Sequence, residues 1–423
     1  MLFGLGGLGA EALNQSRAAW LIYYYAPPAD ADREQLLGLT TVTVLLFAGR
    51  LLEAFDDVLI GYLSDRTRSR LGRRLPFILA GAPFWALFAV LIFVRPTGHG
   101  ALLTAGYFFL MLQGFQLAAT LCAVPYEALL PEIAWSRQER VSVSAYRVAF
   151  GIAGAALGLI GSGLLVHHFG FAGMAAAMAG LALGTRYLGV AAAWTRSAAI
   201  EPAPDRSFGD AFRAAVQNRH FIILMPSWML FQLGLGLIIG ALPFYASAIL
   251  RQDDEALWTS VMTAAAIISM TATLPFFNWL SKRESPERAY SLAMLAAAAA
   301  FPLLALPGVI IESWVVAQAL VVLAIAGAPV AAVYLFPGPL IADIAGADLE
   351  RSGVRREATF YGGQSMIDKT VGSSVPLLLG LILLLGNTAS DPLGVRLVGP
   401  VAGLMVLAAH LVFRRFDLAA RPA

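Results

Sequence analysis

The chain has 423 residues, of which 59% are hydrophobic and 13% are charged. Soluble domains are roughly half apolar and about a quarter charged, so this composition excludes an ordinary soluble protein. A formal net charge of +2 and a single cysteine, Cys122, exclude a basic nucleic-acid-binding domain, an intrachain disulfide and a cysteine-based metal site. The sequence has no evident nucleophile–base pair or phosphate-binding loop, and we therefore expect neither an enzyme nor a cofactor.

Twelve apolar segments follow one another along the chain. Each is about 20 residues or longer, which lets a helix cross a hydrocarbon core of about 30 Å. Charged residues or turn-forming pairs such as Pro27-Pro28 separate them. The first segment lacks the basic region and cleavage site of a signal peptide, so we predict that it is a span. The predicted spans are 5–26, 36–64, 75–95, 101–130, 139–166, 171–194, 220–250, 256–281, 288–307, 313–345, 357–386 and 391–414.

Arginine and lysine alternate in density between the connections. They are frequent at 65–74, 132–140, 195–219, 282–288 and 346–357, and scarcer in the connections between these. The positive-inside rule then predicts cytoplasmic termini, and we expect a bacterial cytoplasmic (inner) membrane. The longest connection divides the chain into an N-terminal six-helix bundle at 1–194, a cytoplasmic linker at 195–219 and a C-terminal six-helix bundle at 220–423.

Polar residues in the first span lie on one face. Glu11, Asn14 and Arg17 are three residues apart in turn, so they share a side of the helix. Two interpretations have equal weight at this point. The residues form an ion pair that holds the span against a neighbour, or they contact a transported solute.

The second span carries three acids, Glu53, Asp56 and Asp57, which are three or four residues apart. With a helix end near Asp65, Asp57 lies roughly 12 Å and Glu53 roughly 18 Å from that end. Those depths are near the middle of a bilayer, where a carboxylate must face a cavity, meet a cation or share a proton. The acids therefore indicate a cation site.

Other polar residues of the spans lie at comparable depth. Thr120 of the fourth span is about 16 Å from its cytoplasmic end, and Lys369 of the eleventh span about 18 Å. Arg147, beside Tyr146, requires a carboxylate or a ligand rich in acceptor oxygens. Lys369 has the acids of the second span as its obvious partners, either in a permanent salt bridge or as a charge that a bound cation displaces.

These observations give three sets of candidate residues. The predicted cation-binding residues are Glu53, Asp56, Asp57 and Thr120, with Lys369 as the coupling residue and no metal beyond a possible Na⁺. The predicted substrate-binding residues are Glu11, Arg17, Tyr126, Glu127, Tyr146, Arg147, Gln232 and Tyr334. A predicted cytoplasmic gate consists of Asp65, Arg66, Arg73, Arg74, Asp343, Arg355, Arg356 and Glu357, although topology and lipid headgroup binding also account for its arginines.

Several dispersed motifs resemble those of a known family. The chain is similar, in the correct order, to the glycoside–pentoside–hexuronide:cation symporters of the major facilitator superfamily, the melibiose permease among them. The motifs are the basic run Asp65-Arg-Thr-Arg-Ser-Arg-Leu-Gly-Arg-Arg74, the helix 4–5 signature at 124–132, 138–140 and 145–147, and the helix 10–11 connection at 342–344, 348–350, 355–357 and 360–362.

The resemblance implies an all-α membrane protein with twelve transmembrane helices, in the major facilitator fold of two six-helix halves. It also implies symport of a sugar or glycoside-like solute, coupled to Na⁺ or H⁺, by alternating access. Carried over by position, the family's cation site falls on Glu53 and Asp57, and its sugar-contacting residues fall on Glu11 and Arg147. The family's galactoside-binding aspartate and nearby tryptophan are Ala123 and Glu127 here, which argues against a galactoside.

Two alternatives stay open. One is a lysophospholipid or other amphiphile transporter of the same fold, since Arg147 could bind a phosphate. The other is a non-transporting membrane sensor or assembly factor. In each case we expect a monomer that contacts membrane lipid and does not bind nucleic acid. A transporter would in addition bind a small-molecule substrate.

Overall fold

The computed structural model describes residues 2–31, 33–67, 69, 71, 74–94, 100–129, 137–194, 217–252, 254–309, 312–352 and 357–416. Inside these ranges it describes the backbone alone at 51, 53–59, 61, 62, 64–66, 128, 137–142, 144, 145, 148, 192, 193, 333, 334, 349, 352, 357–359, 361–363 and 365–371. The described residues contain helices and no strand, as the predicted all-α fold requires.

The helices follow the apolar segments of the sequence. They are α1 (Leu2–Tyr25), α2 (Leu39–Arg66), α3 (Leu75–Ile92), α4 (Ala101–Ala128), α5 (Arg137–Ala156), α6 (Ser162–Ala193), α7 (Arg219–Tyr245), α8 (Glu255–Arg283), α9 (Pro286–Ala300), α10 (Val315–Gly327), α11 (Ala331–Leu335), α12 (Pro337–Ser352), α13 (Glu357–Leu383) and α14 (Leu393–Phe413). A π-helical turn, Leu157–Gly161, joins α5 to α6, and another, Ala246–Leu250, follows α7.

Helix boundaries have local causes in the sequence. Asn218 caps α7, because its side-chain oxygen accepts the backbone N–H of His220 at 3.0 Å. Ser285 caps α9 in the same way at the N–H of Arg288, and a proline follows it at the first helical position. The fifth and sixth predicted spans meet at Gly170, whose φ of 68° suits glycine and interrupts the helical geometry of α6.

Each predicted span coincides with a helical stretch, and several of these are long and apolar enough to cross a membrane. In the described part of the chain they are Leu75–Ile92, Ala101–Glu127, Ala149–Ala191, Arg219–Leu250, Glu255–Arg283, Pro286–Ala305 and Leu393–Phe413. Shorter apolar helices lie at Leu39–Arg50, Val315–Val330 and Gly372–Leu383. The fold class is therefore the predicted one.

The first of two compact units takes in Met1–Pro202 and Gln252–Val261. Within it, α1 packs against both α5 and α6. The approach to α5 and to the π-helical turn after it is close, because a Cβ at Gly154 or Gly158 would collide with the carbonyl oxygen of Leu8 or Ala12, respectively. Small residues at such spacing let two helix backbones touch. The indole N–H of Trp20 also donates to Ser162 Oγ at 2.9 Å, which fixes the position of α1.

The second unit takes in Ala203–Arg251 and Met262–Ala423. Its helix α7 packs against α13 and α14, and Ser227 Oγ donates to the carbonyl of Ala409 at 2.9 Å. Near the beginning of α14, Arg396 donates to the carbonyl of Ala305 at 2.7 Å. The predicted division at 195–219 stays a prediction, because residues 195–216 of that linker lie outside the described residues.

Candidate functional site

A cavity of about 160 Å³ lies in the first unit, bounded by residues of α1, α3, α4, α5 and α6. Glycine and alanine residues of α1 and α4 form part of its wall: Gly6, Gly7, Ala10, Ala119 and Ala123. Its larger and polar lining residues are Glu11, Asn14, Trp85, Tyr126, Glu127, Arg147 and Arg186. Polar and charged groups inside a membrane protein mark solute or ion sites, because they are costly to keep in hydrocarbon.

Three of the residues predicted to bind substrate, Glu11, Glu127 and Arg147, line this cavity together. Glu11 and Asn14 come from one face of α1, because they are three residues apart. Arg147 of α5 forms an ion pair with Glu127 of α4, with 3.3 Å between guanidinium and carboxylate. The Glu127 side chain is 65% exposed, so this pair is accessible to a ligand rather than sealed in the core.

Tyr126 is held rigidly at the cavity wall. Its ring stacks on Phe3 with centroids 4.3 Å apart and planes 6° from parallel. Its hydroxyl donates to the carbonyl of Phe3, and it fits between Gly6 and Gly189, where any Cβ would collide with it. The glycines are thus required by the close approach of the tyrosine.

Replacing Tyr126 with phenylalanine is expected to destabilise the protein by about 1 kcal/mol, because the buried hydrogen bond from its hydroxyl to the carbonyl of Phe3 is lost. For a unit of this size, that corresponds to a fall of roughly 2–4 °C in the thermal unfolding midpoint. The midpoint can be measured on purified protein in detergent. Tyr146→Phe is the matched control, since its side chain is 45% exposed, and equal midpoints for the two variants would contradict the prediction.

Arg186 is a cavity residue that the sequence reasoning missed. It is 5% exposed, and its guanidinium lies 4.2 Å from the ring centroid of Tyr126 and 5.6 Å from that of Trp85. Among the residues that the structure describes, its Nε has no hydrogen-bond partner, and neither has the indole nitrogen of Trp85. A signal existed, because Arg186 is a charged residue inside a predicted span, which is the criterion that singled out Arg147.

The predicted cation site lies along α2 and α4, which begin at the same end of the unit. Just before α2, the N–H groups of Leu36 and Leu37 donate to the carbonyl of Tyr25 at 3.0 and 2.9 Å. The ring of Tyr25 lies 4.3 Å from that of Phe108, near the beginning of α4. The two helices therefore run in the same direction.

Further along, Gly49 of α2 approaches α4 closely, since a Cβ there would lie 2.7 Å from Gln113 Oε1 and 3.2 Å from Gln116 Nε2. One turn beyond Gln116 is Thr120, which is 4% exposed. One turn beyond Gly49 is Glu53, so the backbones of Glu53 and Thr120 are at the same level. The side chains of Glu53, Asp56 and Asp57, and that of Lys369 on α13, lie outside the described residues.

Other predicted substrate residues are placed elsewhere. Arg17 is absent from the cavity lining, and its guanidinium lies 5.0 Å from the ring centroid of Phe115. Tyr146 is exposed and does not line the cavity either. Gln232 belongs to α7 of the second unit, where it is partly buried, and the side chain of Tyr334 lies outside the described residues.

The predicted cytoplasmic gate is described only in part. Arg74 immediately precedes α3 and is partly buried, and Asp343 is exposed on α12. Three further predicted gate residues, Arg73, Arg355 and Arg356, lie outside the described residues. For Asp65, Arg66 and Glu357 the structure describes the backbone alone. Their role stays a prediction.

The chemistry of the cavity suits reversible binding of a polar solute. Carboxylates accept hydroxyl hydrogen bonds, whereas arginine and tryptophan donate to acceptor oxygens. Aromatic faces provide flat apolar surface. Among the described residues no group of three or more His, Cys, Asp or Glu side chains could hold a metal ion.

Comparison with known proteins agrees with a transporter architecture. The family described as MFS/sugar transport protein matches residues 2–411. A Synechocystis protein named as a symporter is 39% identical over 27% of this chain, but the match spans only 22% of that relative. The Escherichia coli glucuronide carrier protein homolog is 24% identical over 93% of this chain and 86% of its own length.

A further relative and the solved structures extend the comparison. The chicken sodium-dependent lysophosphatidylcholine symporter 1 is 24% identical over 71% of this chain and 63% of its own length. The crystal structure of a POT family transporter in complex with 5-aminolevulinic acid covers 98% of this chain and 96% of its own, with a TM-score of 0.65 and 15% identity. At that identity the likeness concerns the fold alone.

Proposed function

Because the chain belongs to the family of MFS/sugar transport proteins, we propose that it is a secondary active symporter that moves a sugar or glycoside-like solute together with a cation. It is an integral membrane protein, and its relatives are transporters rather than enzymes. The observation that carries the proposal is the cavity that collects Glu11 of α1, Glu127 of α4 and Arg147 of α5. Ionisable residues in the interior of a membrane unit mark substrate or ion pathways, and this supports a polar ligand.

The solute is proposed to bind in this cavity. The carboxylates of Glu11 and Glu127 accept hydrogen bonds from its hydroxyl groups. The guanidinium N–H groups of Arg147 donate to its ring or glycosidic oxygens. Tyr126 forms a fixed aromatic wall, because Phe3, Gly6 and Gly189 confine its ring. Arg17, Tyr146, Gln232 and Tyr334 are retained as further proposed contacts in other stages of the transport cycle.

The cation, Na⁺ or H⁺, is proposed to bind between Glu53, Asp56, Asp57 and Thr120. In support of this site, α2 and α4 run in the same direction and approach closely at Gly49. In support of a cation, relatives are named as sodium-dependent symporters. Lys369 is the proposed coupling residue, since a cation that neutralises the acids would release its ammonium.

Alternating access is proposed to take place between an N-terminal six-helix bundle at 1–194 and a C-terminal one at 220–423, joined by a linker at 195–219. Asp65, Arg66, Arg73 and Arg74 would latch the cytoplasmic side of the first half. Asp343, Arg355, Arg356 and Glu357 would do so in the second. The arrangement is proposed for a monomer in a bacterial inner membrane with both termini in the cytoplasm, in contact with lipid and without a nucleic-acid partner.

Uptake into proteoliposomes tests the proposal. We expect a panel of radiolabelled glycosides to contain a solute that accumulates above its external concentration when a Na⁺ or proton gradient is imposed. A sodium ionophore or a protonophore, respectively, should abolish the accumulation, which identifies the cation. Uptake that only equilibrates, or that ignores both gradients, would show that no cation is coupled.

A second candidate is transport of a lysophospholipid, because several relatives are named as lysophosphatidylcholine symporters. The cavity of about 160 Å³ is small beside usual ligand pockets of about 300–1,000 Å³, so it has room for a headgroup rather than an acyl chain. Accumulation of labelled lysophosphatidylcholine in the same proteoliposomes, with no glycoside transported, would favour this candidate.

A further inference from the structure

The last two turns of α8 carry an exposed aromatic surface. Phe276 and Trp279 are 53% and 51% exposed, and their ring centroids are 6.0 Å apart. Arg283 is four residues beyond Trp279, and its guanidinium carbon lies 5.4 Å from the centroid of that ring. Phe277, by contrast, is 6% exposed and packs inward. Residues 276, 279 and 283 therefore share one outward face, which together with Lys282 we call the α8 terminal surface.

The two cations of this surface form no ion pair among the described residues. Lys282 and Arg283 are both exposed, and the ion pairs of the described residues join other side chains. The neighbouring Glu284 is already occupied, because its carboxylate accepts a hydrogen bond from Arg288 at 2.7 Å. The other acid of this connection, Glu287, is partly buried. Two positive charges are thus left at the surface for an external anion.

The length of α8 places these residues at the boundary between membrane and water. The helix Glu255–Arg283 has 29 residues. At 1.5 Å per residue it is about 43 Å long, whereas a hydrocarbon core is about 30 Å thick. Its end therefore extends into the headgroup layer. Trp279 lies about 6 Å before that end, at the level where tryptophan is enriched in membrane proteins.

We propose that the α8 terminal surface binds an anionic phospholipid of the phosphatidylglycerol type. The guanidinium of Arg283 donates to two oxygens of the phosphate, and Lys282 adds a second positive charge. Trp279 and Phe276 pack against the glycerol backbone and the upper acyl chains. The proposed topology puts this end of α8 in the cytoplasmic leaflet, where clustered basic residues recognise anionic headgroups.

The chemistry of the surface selects this occupant over two others. A zwitterionic phospholipid fits less well, because its own ammonium group would lie beside two cations. A soluble phosphate would leave the two exposed aromatic rings uncovered. The inference uses the proposed topology and makes no use of symport, so a protein that transports nothing could still bind the lipid.

Fluorescence quenching by brominated lipids tests the proposal in reconstituted membranes. Brominated acyl chains quench nearby tryptophans, and Trp279→Phe identifies the part of the quenching that comes from this surface among the eight tryptophans of the chain. Two membranes have the same composition, phosphatidylglycerol as the minor component in phosphatidylcholine, and differ only in which lipid is brominated. The quenching at Trp279 is expected to show a preference for phosphatidylglycerol of about fivefold or more.

The double variant with Lys282→Gln and Arg283→Gln is expected to reduce this preference to about onefold. Each single variant should lose part of it. Arg33→Gln is the matched control, because its guanidinium also lies over an aromatic ring, 4.8 Å from the centroid of Phe171, and it is likewise exposed. Since Arg33 belongs to the first unit, its removal should leave the full preference at Trp279.

Two results would overturn the lipid site. Quenching at Trp279 in proportion to the abundance of each lipid would mean that the surface meets only the surrounding bilayer. A double variant that keeps the preference would restrict Lys282 and Arg283 to interaction with the negative end of the helix dipole. Neither result bears on symport, because the assay contains no transported solute.

Discussion

Asp57→Asn is expected to abolish cation-driven accumulation while leaving equilibrative exchange of the solute intact. The substitution keeps the shape of the side chain and removes the negative charge proposed to bind the cation. Removing one partner from a buried charge interaction costs roughly 3–5 kcal/mol, which corresponds to a loss of about 100-fold or more in cation affinity. Solute contacts at Glu11 and Arg147 are unchanged, so exchange down a concentration gradient should continue.

The measurement compares two assays on the same proteoliposomes, gradient-driven accumulation and counterflow of labelled against unlabelled solute. Glu312→Gln is the control, because it removes a carboxylate that is exposed between α9 and α10. The control should behave as the parent in both assays. Accumulation by Asp57→Asn at the parental level would remove Asp57 from the cation site, whereas loss of both activities would point to a damaged fold.

Gly154→Leu is expected to destabilise the first unit by about 3 kcal/mol or more, an effect at the upper end for overpacking. Even the first carbon of the new side chain would collide with the carbonyl of Leu8 in α1. A backbone carbonyl inside a helix cannot rotate away, so α1 would have to move off α5. The expected fall in the thermal unfolding midpoint is roughly 6–12 °C.

Gly180→Leu is the matched control for this packing. It places the same side chain on α6 of the same unit, at a glycine that is exposed and whose Cβ would meet nothing within 4 Å. Leucine also has the higher helix propensity, so the midpoint should stay unchanged or rise slightly. Equal thermal unfolding midpoints for the two variants would mean that leucine is tolerated at Gly154. That result would contradict the close packing of α1 on α5.

Helix α1 contributes both to the wall of the cavity and to the contacts that hold this wall in place. Small residues along α1, among them Gly7 and Ala10, line the cavity beside residues of α4 and α5. Trp20 anchors the helix at Ser162, and Tyr126 anchors the beginning of α1 through the carbonyl of Phe3. The cavity is thus bordered by rigid contacts, as a specific binding site requires.

The helices could be predicted from the sequence because a membrane span needs only length and apolarity. Even the boundary between the fifth and sixth spans was predicted, and Gly170 marks it through its positive φ. The candidate site was predicted in part. Glu11, Tyr126, Glu127 and Arg147 line one cavity, whereas Arg17 and Tyr146 do not, and the binding roles of all six stay predictions.

The sequence by itself determined that the chain is an all-α membrane protein, because burial of an apolar segment in a bilayer is a property of that segment alone. Only the tertiary structure decided which side chains meet across the unit. Arg186 approaches Trp85 and Tyr126 across separations of 101 and 60 residues. The side of a helix that faces its neighbours depends on how all the helices of the unit pack together, and no local pattern in the sequence contains that information.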